Sequence, residues 1–165
     1  MIIIVEGIDR VGKTTLCNML NEEFDIPIHK YKGLIKYNKM DNTEETDKTL
    51  GLVQLLKETN SDIIFDRTFF SDYVYGLFER NYDVDVAIYN FKLIDKVLSE
   101  MDDVFLIYVI PVDVQKSSNE HGKDLYEYNE EFYYLFKHSE IKNKYRVTYN
   151  TLSEAISFIK ARKTK

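Results

Sequence analysis

The sequence predicts an α/β fold in which a parallel sheet is covered on both faces by helices, and three observations carry that prediction. Apolar runs at Ile2 to Val5, Ile63 to Phe65 and Val104 to Ile110 are continuous rather than alternating, as strands buried on both faces are. Helical patterns separate them: Leu16, Leu20 and Phe24 recur every fourth residue, and Ile88, Phe91, Ile94, Leu98 and Met101 share one helix face. Weaker strand patterns at Ile26 to Tyr31 and Tyr145 to Thr148 complete the order β-α-β-α-β-α-α-β-α-β-α. Such a sheet gathers its ligands outside the carboxyl ends of its strands.

The individual elements have local reasons. Thr151-Leu-Ser-Glu154 reads as a capping box opening a last helix that carries Leu152, Ile156 and Ile159. Asp124-Leu-Tyr-Glu127 reads as another helix start. Two stretches have no period, Lys32 to Thr43 and Val112 to Lys123; loops of about 12 residues in a compact domain are usually functional, so both are candidate moving parts.

With 165 residues, 44% of them apolar and 30% charged, the chain suits one folded domain over residues 1–165 and not a disordered, collagen-like or repeat protein. Its net charge of −6 is the wrong sign for neutralising a polynucleotide backbone. The single cysteine, Cys17, cannot form an internal disulfide and reads as core; no leader pattern precedes Ile2, and no run reaches membrane-spanning length. A cytoplasmic protein acting on small molecules, with neither membrane nor polynucleotide partner, is expected. His29, His121 and His138 have no metal-ligand spacing.

The strongest motif follows the first strand. Gly7-Ile-Asp-Arg-Val-Gly12-Lys13-Thr14 satisfies G-x-x-x-x-G-K-[ST] between a strand and a helical pattern. Such a loop turns backbone N–H groups inward at a helix start, Lys13 reaches the β- and γ-phosphates of ATP, and Thr14 offers a hydroxyl to Mg²⁺. Gly7, Val11, Gly12, Lys13, Thr14 and Thr15 are thus candidate nucleotide-binding residues in a three-layer P-loop NTPase fold, with a five-stranded sheet of order 2-3-1-4-5. Asn38-Lys-Met-Asp41 mimics the N-K-x-D motif of GTPases, but it follows no late apolar strand, and Asp-x-x-Gly occurs only inside the phosphate loop itself.

Ile63-Ile-Phe-Asp66-Arg67 puts an acid and a base at the carboxyl end of a strand. Asp66 suits the hydrated Mg²⁺ near Thr14, and the planar fork of Arg67 suits a phosphate.

Val5-Glu6-Gly7-Ile8-Asp9-Arg10-Val11-Gly12-Lys13-Thr14-Thr15, together with Asp66-Arg67-Thr68-Phe69-Phe70-Ser71-Asp72-Tyr73-Val74-Tyr75-Gly76, resembles the thymidylate kinase family. The resemblance implies ATP- and Mg²⁺-dependent phosphorylation of a deoxynucleoside monophosphate, dTMP or a related pyrimidine, by a possible homodimer with a short lid at about residues 111–124. It implies that Asp9 holds the acceptor's 3′-OH, Arg67 its phosphate, that Ser71 lines the same pocket, and that Tyr75 presses where a ribonucleotide has its 2′-OH. Arg10 resembles the catalytic arginine that some members carry inside the phosphate loop. The lid contains no arginine, only Lys116, His121 and Lys123. In this reading Arg10, Lys13, Asp66 and Arg67 are catalytic.

The sequence also departs from the family. The helix near Glu44 to Thr59 has Thr46, Asp47 and Thr49 where the family has a stacking aromatic and a base-bonding arginine; Phe69, Phe70 or Tyr73 could take over the stacking. A deoxynucleoside kinase, the first alternative, wants a carboxylate base after the second strand. Here that stretch is Ile28-His-Lys-Tyr-Lys32, where Lys30 and Lys32 could instead help bind a phosphate. A non-catalytic nucleotide-binding regulator is the further alternative. Asn150-Thr151 lies where related kinases border adenine.

Overall fold

The computed structural model describes residues 1–31, 43–113 and 125–163. Its elements are β1 (Ile2–Glu6), α1 (Lys13–Phe24), β2 (Ile28–Lys30), α2 (Thr43–Thr59), β3 (Ile63–Asp66), α3 (Phe69–Glu79), α4 (Val84–Ser99), β4 (Val104–Ile110), α5 (Tyr126–His138), β5 (Asn143–Thr148) and α6 (Leu152–Lys163). The expected order of elements is all present. The five strands are parallel, in the order β2-β3-β1-β4-β5.

Helices α1 and α6 pack together on one side of the sheet, while α2, α3, α4 and α5 form the other layer. This two-sided cover explains why β1 and β4 read as unbroken apolar runs: every residue of β1 and all but the last of β4 are buried. β1 lies between β3 and β4, with Ile3 opposite both Ile64 and Phe105. The same register puts Val5 opposite Asp66, so the loop after β1 and the acid at the end of β3 emerge side by side.

Beneath this edge, Phe69, Phe70, Tyr73 and Phe91 form an aromatic cluster with ring centroids 4.7–5.7 Å apart. Phe70 is only 1% exposed there, which corrects its assignment to substrate binding. Cys17 is fully buried, and burial pushes its thiol up. No described helix is long and apolar enough to cross a membrane.

Some sequence expectations shift. The capping box before α6 lies one turn earlier, between Thr148 and Thr151, where β5 turns through a 3₁₀ turn at Tyr149–Thr151; Glu154 instead accepts from the Tyr145 hydroxyl. Helix α5 is preceded by Leu125, with no side-chain cap. Met101 follows the α4 pattern but lies beyond its end. Asn38 to Asp41, Lys32, residues 114–124 of the expected lid with Lys116, His121 and Lys123, and Asp124 lie outside the described residues.

Leu106 sits fully buried in β4 at the centre of this packing. Leu106→Ala should lower the free energy of unfolding by about 2–5 kcal/mol, measured by urea denaturation, because a rigid two-sided core cannot collapse onto the lost volume.

Candidate nucleotide site

The carboxyl ends of the central strands open into a cavity of about 830 Å³. Its floor is the β1–α1 loop. Gly7 (φ 142°) and Gly12 (φ 101°) adopt conformations that favour glycine, and a Cβ on Gly7 would lie 2.4 Å from the Val109 carbonyl oxygen. Gly12 precedes α1 without a side-chain cap, leaving the first-turn amides to an incoming anion. Gly12, Lys13, Thr14 and Thr15 line the cavity; Gly7 and the buried Val11 shape the loop from behind.

Lys13 is 5% exposed, and its ammonium donates to the Ile8 carbonyl. Burial, and then the neighbouring Arg67, pull it down to about 7 against the opposing pull of Asp9, Glu6 and Asp66. Thr14 Oγ1 donates to Asp66 Oδ2 at 2.9 Å. This hydroxyl and carboxylate are hard oxygen donors that could hold Mg²⁺. The described residues contain no cluster of three or more His, Cys, Asp or Glu able to enclose an ion. Phosphate oxygens and water would therefore complete the shell, which is how Mg²⁺ is usually bound.

Arg67 ties the second sequence block to the first. Its guanidinium pairs with Asp9, donates to Ser71 Oγ at 3.2 Å and lies 5.3 Å from the centre of the Tyr75 ring. Arg10 lines the cavity as an exposed side chain. Both arginines have left-handed backbone, φ 63° at Arg10 and φ 74° at Arg67, which non-glycine residues rarely adopt outside constrained sites. Lys30 reaches the cavity from the end of β2.

Tyr75 Oη is buried and has no hydrogen-bond partner among the described residues. Burial pushes its hydroxyl up, and Arg67 pulls the other way. The hydroxyl lies within the electrostatic reach of Arg67 and Asp9 without a well-formed hydrogen bond to either, so a small movement of that pair decides what it bonds.

Of the sequence candidates, Asp9, Arg10, Gly12, Lys13, Thr14, Thr15, Lys30, Asp66, Arg67, Ser71 and Tyr75 all meet in this one cavity. Sequence reasoning passed over Glu6, which is 1% exposed beneath it. Its Oε1 accepts from the Thr68 amide at 2.5 Å and the Thr68 hydroxyl at 2.7 Å, and its Oε2 from Ser71 Oγ at 2.7 Å. Burial pushes Glu6 up, while the Ser71 and Thr68 bonds, Arg67 and Lys13 favour its charge. Ser71 thus spends its proton on Glu6 while accepting from Arg67. The available signal was an acid closing an otherwise apolar strand. Tyr31, Asp72, Glu79, Arg80 and Tyr149 also reach the cavity, with no motif to announce them. At the far edge it is Tyr149, beside the Asn150-Thr151 pair singled out above, that lies against Gly12: a Cβ there would be 2.6 Å from its ring.

Fold and phosphate loop together define the class: the chain has the fold of the P-loop kinases. It is similar to YorR from Bacillus subtilis, solved in complex with phosphorylated GDP, at 18% identity over 100% of this chain and 99% of that one, with a TM-score of 0.73. It is also similar to thymidylate kinase from Candida albicans (16% identity, 98% and 92% covered, TM-score 0.56) and to deoxyadenosine kinase from M. mycoides (18%, 99% and 99%, 0.55). No protein-family profile and no curated protein sequence matches the chain.

Two outcomes test this geometry. At pH 8, above the Lys13 value of about 7, the amine is largely neutral, and a bound polyphosphate restores its charge. Binding of inorganic triphosphate should then take up a fraction of a proton, seen by calorimetry as a buffer-dependent enthalpy that Lys13→Met abolishes, and affinity should weaken as pH rises above 7. Tyr75→Phe removes a buried hydroxyl that lacks a well-formed hydrogen bond and should change stability in urea unfolding by less than about 1 kcal/mol.

Proposed function

We propose that this protein is a phosphotransferase that moves the γ-phosphoryl group of ATP onto a deoxynucleoside monophosphate, with dTMP or a related pyrimidine nucleotide as acceptor. The observation that carries this reading is the state of the carboxylates around the acceptor side of the cavity. Asp9 pairs with Arg67, Asp66 accepts from Thr14, Asp72 pairs with Arg80, and Glu79 accepts from the Tyr128 hydroxyl. The three aspartates are each paired with a neighbouring donor, Glu79 is exposed at the cavity's rim, and the group at the end of β2 is the cation Lys30. An acceptor phosphate is already an anionic nucleophile and needs cations to hold it. A neutral hydroxyl needs a base instead.

In this reading the loop amides and Lys13 hold the donor phosphates, and Arg67, oriented by Asp9 and Ser71, holds the acceptor phosphate in line. Arg10 stabilises charge on the transferring group, in a reaction whose loose transition state asks mainly for positioning and electrostatics. Mg²⁺, held by Thr14 and Asp66, would supply neutralisation of the β- and γ-oxygens. Asp9 and Tyr75 face the acceptor sugar. The protein acts as one domain in the cytoplasm, and the resemblance to thymidylate kinases suggests a homodimer.

The second reading, a deoxynucleoside kinase, draws on the likeness to deoxyadenosine kinase over 99% of both chains. One assay separates the two: the protein is incubated with ATP, Mg²⁺ and each common dNMP or deoxynucleoside in turn. Diphosphate products are expected; nucleoside phosphorylation without any dNMP turnover would replace this proposal with the second. Arg10→Ala should lower kcat by roughly 10³-fold with little change in acceptor KM. An unchanged kcat would remove Arg10 from the reaction.

A further inference from the structure

Behind the wall of the cavity, where α3 ends, lies a side-chain cluster that the reaction above does not use. Asp72 is 3% exposed on α3 and accepts from Arg80 Nη1 at 3.0 Å and from the Tyr82 hydroxyl at 3.4 Å. The chain folds back sharply to make this possible. The amides of Arg80 and Tyr82 both donate to the Gly76 carbonyl at 3.1 Å, and Asn81 takes a left-handed φ of 52°. The Tyr82 ring then lies so close to Gly76 that a Cβ there would sit 2.1 Å from it. Gly76 is therefore the residue that lets Tyr82 press against α3, and Tyr82 in turn buttresses Arg80. The result is a guanidinium fixed in a lining position, with its side chain 18% exposed.

The surroundings decide what such a guanidinium can bind. Asp72 compensates its charge, Glu79 lines the same wall, and the nearby Tyr31 hydroxyl is pushed up by burial and then by Asp72 and Glu45. The local balance is acidic, which disfavours a phosphate dianion. At the phosphate end, by contrast, the acids Asp9, Asp66 and Glu6 are matched by three cations, Lys13, Arg67 and Arg10. A rigid donor in an acidic wall fits a neutral acceptor atom.

Resting on the acceptor assignment made above, we propose that Arg80 is the specificity-determining residue of this site, donating to a carbonyl oxygen on the edge of the acceptor base. With that oxygen at pyrimidine C4 or purine C6, the site selects bases that are oxo-bearing there (thymine, uracil, guanine) over those that carry an amino group there (cytosine, adenine). Arg80 stands in for the base-bonding arginine that α2 lacks, and it does so from the C-terminal end of α3. Asp72, Tyr82 and Gly76 are positioning residues.

The test ranks dTMP, dUMP, dGMP, dCMP and dAMP by kcat/KM and, separately, by calorimetric affinity, in the wild type, Arg80→Met and Tyr82→Phe. The wild type should prefer the oxo-bearing nucleotides. Arg80→Met should collapse that preference by roughly 10- to 100-fold, through KM more than kcat, as expected for loss of a charged hydrogen bond. Tyr82→Phe keeps the ring on Gly76 and should erode the preference less. A wild type that favours dCMP or dAMP, or an Arg80→Met protein that keeps the wild-type ranking, overturns the proposal. So does an equal loss across all five nucleotides, which would mark Arg80 as structural or phosphate-binding. If the wild type turns over no dNMP, the acceptor assignment falls, while the calorimetric ranking of the same five bases as nucleosides still tests Arg80 by itself.

Discussion

The Glu6 carboxylate joins two stretches of chain, 62 to 65 residues apart, beneath the cavity that both of them line. It closes β1 immediately before the glycine loop, and it accepts from the Thr68 amide, the Thr68 hydroxyl and the Ser71 hydroxyl just beyond β3. Thr68 precedes α3 without capping it because its hydroxyl is turned to this acid. Ser71 relays the constraint to Arg67, and Arg67 carries it across to Asp9 in the loop itself. Loop, strand end and helix start are thus one hydrogen-bonded unit. A charge this deeply buried is tolerated only when fully partnered, so the unit stands or fails together.

That unit explains why the electrostatics of the site differ from those of the surface. The chain is acidic overall, yet Lys13, Arg67 and Arg10 converge on one cavity. Burial, and after it the neighbouring Arg67, lowers the proton affinity of Lys13, and Asp9, Glu6 and Asp66 keep that lowering from going further. A polyphosphate entering the loop relieves repulsion among cations that the protein has already assembled, so part of its binding energy is prepared by folding. Drawing Lys13 off the Ile8 carbonyl is the cost set against it.

Much of the scaffold was legible because it is written in short-range patterns. A strand buried on both faces must be apolar throughout, as β1 and β4 are, and amphipathic helices announce themselves by period, as α1 and α4 do. The phosphate loop was legible because its chemistry demands fixed residue types at fixed spacing. Phe70 misled because an aromatic beside a functional block looks alike whether it faces ligand or core, and only the packing of Phe69, Phe70 and Phe91 decides. The cap before α6 shifted by one turn because Thr148 and Thr151 satisfy each other across the 3₁₀ turn, leaving Glu154 to Tyr145. Glu6, Asp72 and Arg80 were silent for a different reason: their roles arise from contacts across the fold, or around a helix end, that no local spacing records.

The left-handed backbone at Arg10 and Arg67 carries a consequence for the history of such a chain. Glycine or asparagine would sit at either position with less strain, so thermodynamic drift pushes both sites away from arginine. Arg67 is also held by its pairing with Asp9 and its bond to Ser71, so only at Arg10 does a demand for charge at the cavity alone oppose that drift. A duplicated copy released from that demand would gain stability by losing the Arg10 side chain first, well before its sheet or helices changed. The residue type at position 10 would then record, in descendants that keep the fold, which lineages still require that charge and which have kept only the frame around it.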